Sequence, residues 1–211
     1  MEASTWWWIG GAVALWIAAR PVSRLLIATT LGKQVGAAAL AQQPDTIHLE
    51  PAPAEAWRDA ENARRVASAI TTLGFETAGT FRVPELPGIT LELLAHPGES
   101  MYAAVYEHPQ AGAWFEYFVR CQDGTSATFS TLAPTGLDDR PGHGIVRALG
   151  ADPRSLFEKA QDRKPRKPLE PARAASVVAV FENSYADAMA WRKEQGIART
   201  EVVRVAMKKA A

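Results

Sequence analysis

Apolar and polar side chains alternate through the middle of the chain, from Met101 to Leu132. A two-residue alternation is typical of β-strands that bury one face. The predicted core face of the strand ending at Cys121 carries Phe115, Tyr117, Val119 and Cys121. Its second face carries Trp114, Glu116, Phe118 and Arg120.

The loop after this strand decides its register with the next strand. A two-residue turn would place the core face opposite hydroxyl side chains, which do not suit a core. A three-residue loop, with Gly124 in the left-handed conformation of a G1 bulge, instead pairs Val119 with Ala127 and Tyr117 with Phe129. The second register keeps apolar residues together, so it is the prediction.

Two further alternating runs precede this stretch, at residues 75–83 and 89–96, and both end at Pro- and Gly-bearing segments. Together with the three strands of residues 101–132 they predict an antiparallel meander of about five strands. Between Ala54 and Leu73 apolar residues recur at three- and four-residue steps, and Gly74 follows. That spacing predicts a helix, with Trp57 on its apolar side, that covers the core face.

The rest of the chain predicts mainly loops and helices. A short strand is expected at residues 46–50, and the Gly- and Pro-rich residues 133–150 predict a long ordered loop. Asp152-Pro153 is a helix start, with the helix running to about Gln161. Residues 172–195 form a long helix whose apolar stripe is predicted to cover the second face of the sheet. Residues 200–209 suit a helix or a strand.

The N-terminal run from Trp6 to Ala19 is uncharged, but its length of about 14 residues is short for a hydrocarbon core about 30 Å thick. Continued through Arg20 and Arg24 to Ile27, it would span the bilayer if the arginines reach the headgroups. A buried core helix and an interfacial helix are the alternatives. A cleaved secretory signal is disfavoured, because no Lys or Arg precedes the apolar run.

We therefore expect a single-pass membrane helix that contacts lipid at both interfaces. Its predicted membrane residues are Trp6, Trp7, Trp8, Trp16, Arg20 and Arg24. The positive charges all follow the apolar run, so the main domain is expected on the cytoplasmic side of the cell membrane.

Composition changes this picture little. With 47% hydrophobic and 22% charged residues, the chain is ordinary globular protein. Its 23 basic and 23 acidic residues leave no excess charge for nucleic acid, and its single cysteine excludes an internal disulfide framework. The predicted organisation is an anchor (residues 1–43), an α+β sheet domain (44–161), and a linker with C-terminal helices that pack on the sheet (162–211).

Candidate chemistry is sparse. Glu107 and His108 end one strand, and a carboxylate beside an imidazole could serve in acid–base catalysis. Arg140 and His143 enclose a Pro-Gly turn, where the guanidinium could grip a carboxylate or phosphate and the imidazole could carry a proton. Neither pair forms a motif with specific chemistry, and each also suits a purely structural role.

A binding surface is the other possibility. The aromatic side chains Trp114 and Phe118 lie on the second face of the sheet and could contact a partner, unless a helix covers them. No His or Cys spacing indicates a metal, and no motif indicates a cofactor.

These features favour a membrane-tethered, cytoplasm-facing binding module without catalytic activity, with lipid and a protein as its partners. One alternative is a small hydrolase or transferase that uses Glu107, His108, Arg140 and His143 at the rim of the sheet. Another is a soluble homodimer joined through the Trp-rich helix. The sequence leaves the oligomeric state open.

Overall fold

The computed structural model describes residue 32 and residues 34–208. The chain divides into two compact units. The sheet unit comprises residues 44–134 and 139–191. The described part of the terminal unit comprises residue 32 and residues 34–43, 135–138 and 192–208.

The sheet unit is α+β, built on one seven-stranded sheet whose strands follow chain order. The strands are β1 (Glu50–Pro51), β2 (Glu76–Arg82), β3 (Thr90–His96), β4 (Met101–His108), β5 (Gly112–Arg120), β6 (Ser126–Ser130) and β7 (His143–Arg147). Neighbouring strands are antiparallel except β6 and β7, which are parallel. The helices are α1 (Ala60–Thr71), α2 (Pro153–Arg163), α3 (Val177–Gln195) and, in the terminal unit, α4 (Arg199–Lys208).

The predicted register of β5 and β6 is confirmed. Val119 pairs with Ala127 and Tyr117 pairs with Phe129. The Gly124 N–H donates to the Cys121 carbonyl at 2.9 Å, and Gly124 has a φ of 80°. That φ lies in the left-handed region, as a G1 bulge requires.

The core face of the sheet is covered by α1 and α2. Tyr117, Val119 and Phe129 are fully buried there, and Ile70 of α1 and Leu156 of α2 pack on the same cluster. The Phe75 and Phe157 rings meet edge to face, with centroids 5.6 Å apart. The predicted core face and its cover by α1 are therefore confirmed, and α2 is a second cover that the sequence did not predict.

The second face is covered by α3, as the stripe along that helix predicted. Val177 is fully buried, and the Phe181 and Tyr106 ring centroids lie 6.1 Å apart. The Tyr106 hydroxyl donates to the Glu116 carboxylate at 2.6 Å. Burial raises the pKa of Glu116, although the hydrogen bond from Tyr106 opposes that effect.

The predicted helix from Ala54 to Leu73 is wrong at its start. A 3-10 turn (Ala54–Ala56) ends at Trp57, whose backbone is extended, and α1 begins only after its N-cap Asp59. The carboxylate of Glu107 accepts hydrogen bonds from the backbone N–H groups of Arg58 and Asp59. Those N–H groups are held by a neighbouring strand, which breaks the helical run.

Two other predictions need correction, and one open alternative is decided. The sheet has seven strands rather than about five, because the short β1 pairs with β2 and residues 143–147 of the predicted loop pair with β6 as β7. The strand expected at residues 46–50 is reduced to the two-residue β1. The final segment, which suited either structure, is the helix α4.

The described part of the terminal unit contains a buried carboxylate with several hydrogen-bond donors. Glu201 of α4 is 3% exposed and accepts hydrogen bonds from the backbone N–H groups of Asp138 and Ala198, each at 2.7 Å. The Arg192 guanidinium donates to it at 2.9 Å. Burial alone would raise the pKa of Glu201, but these donors outweigh burial and lower it.

Candidate functional site

A tight turn from Arg140 to His143 leads into β7. The His143 N–H donates to the Arg140 carbonyl at 3.0 Å, and Gly142 has a φ of 79°. Proline at the second position and a left-handed glycine at the third are what a type II turn requires. A Cβ at residue 142 would lie 3.2 Å from Thr125 Cγ2, so glycine also allows the turn to dock closely on the β5–β6 loop.

This turn brings His143 beside Ser126. The two residues are partners in the parallel pairing of β6 and β7, and the Ser126 N–H donates to the Gly142 carbonyl at 3.0 Å. Between the side chains, Ser126 Oγ and His143 Nδ1 lie 2.8 Å apart. Since Ser126 is also the register partner of Arg120, a third polar residue belongs to this end of the sheet.

We call Arg120, Ser126, Arg140 and His143 the Arg–His corner. Its two arginines differ in their partners. Arg120 donates to the Glu170 carboxylate at 3.1 Å and to the Ser184 hydroxyl at 2.6 Å. Within residues 34–208, the half-buried Arg140 side chain makes no hydrogen bond or ion pair. Arg120 is therefore held by Glu170 and by Ser184 of α3, while the guanidinium N–H groups of Arg140 can donate to a bound ligand.

The electrostatics of the corner favour a neutral imidazole. Burial lowers the pKa of His143, and the nearby charges of Arg140 and Arg120 lower it further, against an opposing effect of Asp187. A neutral imidazole has one donor and one acceptor nitrogen. At neutral pH the positive charge of the corner therefore lies on the guanidinium groups.

The other predicted pair, Glu107 and His108, lies elsewhere. Glu107 is 7% exposed and holds the N–H groups that precede α1, as described above. His108 Nδ1 accepts hydrogen bonds from the N–H groups of Gln110 and Ala111, each at 3.1 Å, and so shapes the β4–β5 turn. Both side chains have structural roles in the fold.

The structure does not bring the two predicted pairs together. Tyr102, near the start of β4, pairs with Phe118, so Arg120 lies beyond the first residue of β4. Ser126 pairs with Arg120 and therefore lies at the same end of the sheet. His108 is at the other end of that strand, so at ~3.3 Å per residue the two pairs are separated by roughly 20 Å or more. A rim site built from all four side chains is not formed.

Of the aromatic pair predicted for binding, Phe118 is buried and Trp114 is partly buried. Phe118 is 9% exposed and stacks on Tyr102, with ring centroids 5.2 Å apart. Trp114 stacks on Tyr106 at 4.6 Å and belongs to the cluster beneath α3. Phe118 is therefore covered, whereas Trp114 keeps part of its surface exposed.

Sequence reasoning missed Ser126 and Arg120 as members of a site. One signal was available, because the predicted register already placed these two residues opposite each other on the second face of the sheet. The approach of His143 had no such signal, since it depends on the parallel strand β7.

The membrane residues predicted from the sequence, from Trp6 to Arg24, lie outside the described residues. Among the described residues, no helix combines the length and the apolar character that crossing a membrane requires. Over the same part of the chain, no three His, Cys, Asp or Glu side chains are grouped closely enough to hold a metal ion.

In comparisons with known proteins, no protein-family model, no curated protein and no solved structure matches this chain. Function must therefore be inferred from the residues themselves.

Proposed function

We propose that the protein is a membrane-tethered binding module that faces the cytoplasm and holds an anionic group of its ligand at the Arg–His corner. The tether rests on the N-terminal sequence, where Trp-rich and Arg-bearing ends flank an apolar run. The ligand site rests chiefly on one observation: in the described part of the chain, Arg140 is half-buried and has no side-chain partner.

A guanidinium in this position suits a carboxylate or a phosphate. Its N–H groups form a planar fork that matches two oxygens of such an anion. Partial burial weakens competition from water, which strengthens the interaction. The Ser126 hydroxyl and the neutral His143 ring add a donor that is already oriented by their mutual hydrogen bond. The corner thus offers a positive charge and an oriented hydrogen-bond donor, and two paired strands, β6 and β7, hold Ser126 and His143 in place.

The test is an NMR titration of the full-length chain, in detergent micelles if the tether requires them, with inorganic phosphate and with acetate at constant ionic strength. Saturable shifts are expected at Ser126, Arg140 and His143. Because a bound anion stabilises the imidazolium, the pKa of His143 is expected to rise on binding. The Arg140→Gln variant should lose the saturable shifts.

The matched control is Arg64→Gln, which removes an exposed arginine from α1 on the other face of the sheet. It should bind both anions as the parent does. Shifts that grow linearly, or that survive Arg140→Gln, would contradict an anion site at the corner.

A second function is favoured by the 2.8 Å separation of Ser126 Oγ and His143 Nδ1. A hydroxyl beside a neutral imidazole is the basic unit of an acyl-transfer hydrolase, in which the imidazole takes the hydroxyl proton as the oxygen attacks a carbonyl carbon. Like the enzyme predicted from the sequence, this site would use Arg140 and His143. Ser126 takes the place of Glu107 and His108, which lie too far away.

Labelling with a fluorophosphonate separates this second function from simple binding. A nucleophilic Ser126 would be phosphonylated, with loss of fluoride, and the label would vanish in His143→Gln. An unlabelled Ser126 would leave the binding module as the sole proposal for the corner.

The alternative to a membrane tether is a soluble dimer joined by the Trp-rich segment. A membrane helix should keep the protein in the pellet after alkaline carbonate extraction of membranes. A dimer contact predicts a soluble protein of twice the chain mass, which becomes monomeric when residues 6–19 are deleted.

A further inference from the structure

Close packing joins α4, and Ile197 just before its start, to the helical segment that follows the predicted membrane run. A Cβ added to Gly36 would lie 2.9 Å from Cβ of Ile197, and one added to Gly32 would lie 3.6 Å from Cβ of Val202. Real Cβ atoms do not approach as closely as 2.9 Å, so only glycine permits the contact at residue 36.

This packing limits the distance between α4 and the proposed tether. The predicted span ends at Ile27, five residues before Gly32. Even fully extended, five residues cover only about 18 Å. If the tether inserts, α4 is therefore held close to the cytoplasmic surface of the membrane.

The exposed side of α4 is basic. Arg199, Arg204 and Lys208 are exposed, and Met207 beside them is 61% exposed. The acidic residue of the helix, Glu201, is buried and paired with Arg192, so it does not offset this charge at the surface. Basic side chains mixed with apolar ones are typical of helices that lie at a lipid interface.

A groove runs along this side of the helix. It has a volume of about 690 Å³ and is lined by Asp138, Arg199, Thr200, Val203 and Arg204. Arg204 is bound to the Asp138 carboxylate at 2.6 Å, while Arg199 makes no side-chain hydrogen bond or ion pair with residues 34–208. The groove thus combines two guanidinium groups, one of them paired with a carboxylate, with one hydroxyl and one apolar side chain.

We propose that this groove binds the phosphate of anionic phospholipid headgroups, which makes α4 a second membrane contact beside the N-terminal segment. The proposal rests on the membrane tether of the proposed function. Cytoplasmic leaflets carry anionic lipids that attract basic residues close to the membrane surface. Arg199 and Thr200 would hold the phosphate oxygens, and Val203 would lie against the glycerol and acyl carbons.

Hydrogen exchange of the full chain in lipid nanodiscs tests the proposal. Amides of α4 should exchange more slowly in discs that contain phosphatidylglycerol than in discs of phosphatidylcholine alone. Since one basic residue near an anionic surface changes an equilibrium constant about fivefold, Arg199→Gln should reduce the protection by about that factor. Arg199→Lys keeps the charge and should retain most of it.

Two controls test whether the anionic headgroup is the cause of the slower exchange in α4. Arg64→Gln on α1 should leave the difference between the discs unchanged. Inorganic phosphate added to phosphatidylcholine discs should not protect α4. Equal exchange in both kinds of disc, or equal protection by free phosphate, would overturn the headgroup proposal.

Co-flotation with vesicles of phosphatidylcholine alone distinguishes the two proposals. A chain that does not float with these neutral vesicles refutes the tether, and with it the premise of the groove proposal. A chain that floats, but whose α4 is indifferent to phosphatidylglycerol, refutes the groove proposal and leaves the tether standing.

Discussion

The Ser126 hydroxyl and Nδ1 of His143 lie 2.8 Å apart, although 17 positions separate the two residues along the chain. Their contact is a direct consequence of the parallel pairing of β6 and β7. It places one imidazole at a corner with two arginines, whereas the other histidines of the described chain lie in different settings. His48, for example, contacts the Glu85 carboxylate at 2.6 Å.

The first prediction concerns these two histidines, whose pKa values should move in opposite directions. Burial and the neighbouring arginines lower the pKa of His143 below the ordinary value of about 6.5. The hydrogen bond and charge of Glu85 raise the pKa of His48 above it. An NMR titration of the histidine Cε1–H signals measures both, and Glu85→Gln should return His48 to about 6.5 without moving His143.

The directions of these pKa shifts also predict how the contribution of each histidine to folding stability changes with pH. Because the pKa of His143 is lowered by folding, its contribution to stability is lost as the pH falls from about 6.5 through the folded value. His48 acts in the reverse sense, since its raised pKa contributes stability that is lost as the pH rises through the folded value. A His143→Gln variant should therefore resist mild acid better than the parent, and a His48→Gln variant should resist it less well.

The second prediction concerns Glu107, which holds the start of α1. Glu107→Ala should lower the free energy of unfolding by about 1–3 kcal/mol, because it leaves the N–H groups of Arg58 and Asp59 without their acceptor. Urea denaturation measures the loss. The exposed Glu55 is the matched control, and its change to alanine should alter stability by less than about 0.5 kcal/mol. Equal effects of the two variants would argue against the capping role.

The third prediction concerns Glu201 in the terminal unit. Glu201→Ala should cost about 3–5 kcal/mol within that unit, because Arg192 would lose its buried partner. Faster hydrogen exchange at residues 135–138 and 198–202 would reveal it. Since folding lowers the pKa of Glu201, its contribution should be present above about pH 4.5 and be lost as the pH falls through the folded value.

Glu194→Ala, at an exposed position of α3 in the same unit, is the control for this experiment. Its exchange pattern should match that of the parent. Unchanged protection in Glu201→Ala would contradict the central role of the buried carboxylate.

The fourth prediction concerns the core face. Phe129→Ala should cost about 3–5 kcal/mol, because the side chain is fully buried between the sheet and its helices. Leu149→Ala should change stability little, since Leu149 is 62% exposed. Thermal or urea unfolding compares the two. Similar losses would mean that the predicted core face does not carry the packing energy.

Much of the sheet could be predicted because its signals are local. Apolar alternation identified β2 to β6, and Gly124 with its preceding turn residues fixed the β5–β6 register. The capping pair Asp152-Pro153 located the start of α2, where Asp152 accepts a hydrogen bond from the Ser155 N–H at 3.0 Å. Each of these features depends on residues only a few positions apart.

The wrong predictions concern features that depend on residues far apart along the chain. The spacing of Trp57 predicts a helical position, but Glu107 holds the following N–H groups from 49 and 48 positions away. The residues of β7 alternate weakly and lie among glycines, so the sequence predicts a loop there. Only its partner β6 makes it a strand.

By itself, the sequence determined the two faces of the central strands, their register and one covering helix on each face, because side-chain periodicity and turn chemistry act locally. The tertiary structure alone decided that His143 meets Ser126 beside Arg120, and that Glu107 and His108 serve the scaffold. The reason is that residues 131–142 can follow many paths between β6 and β7. Long-range strand pairing, which no local pattern encodes, selects one of them.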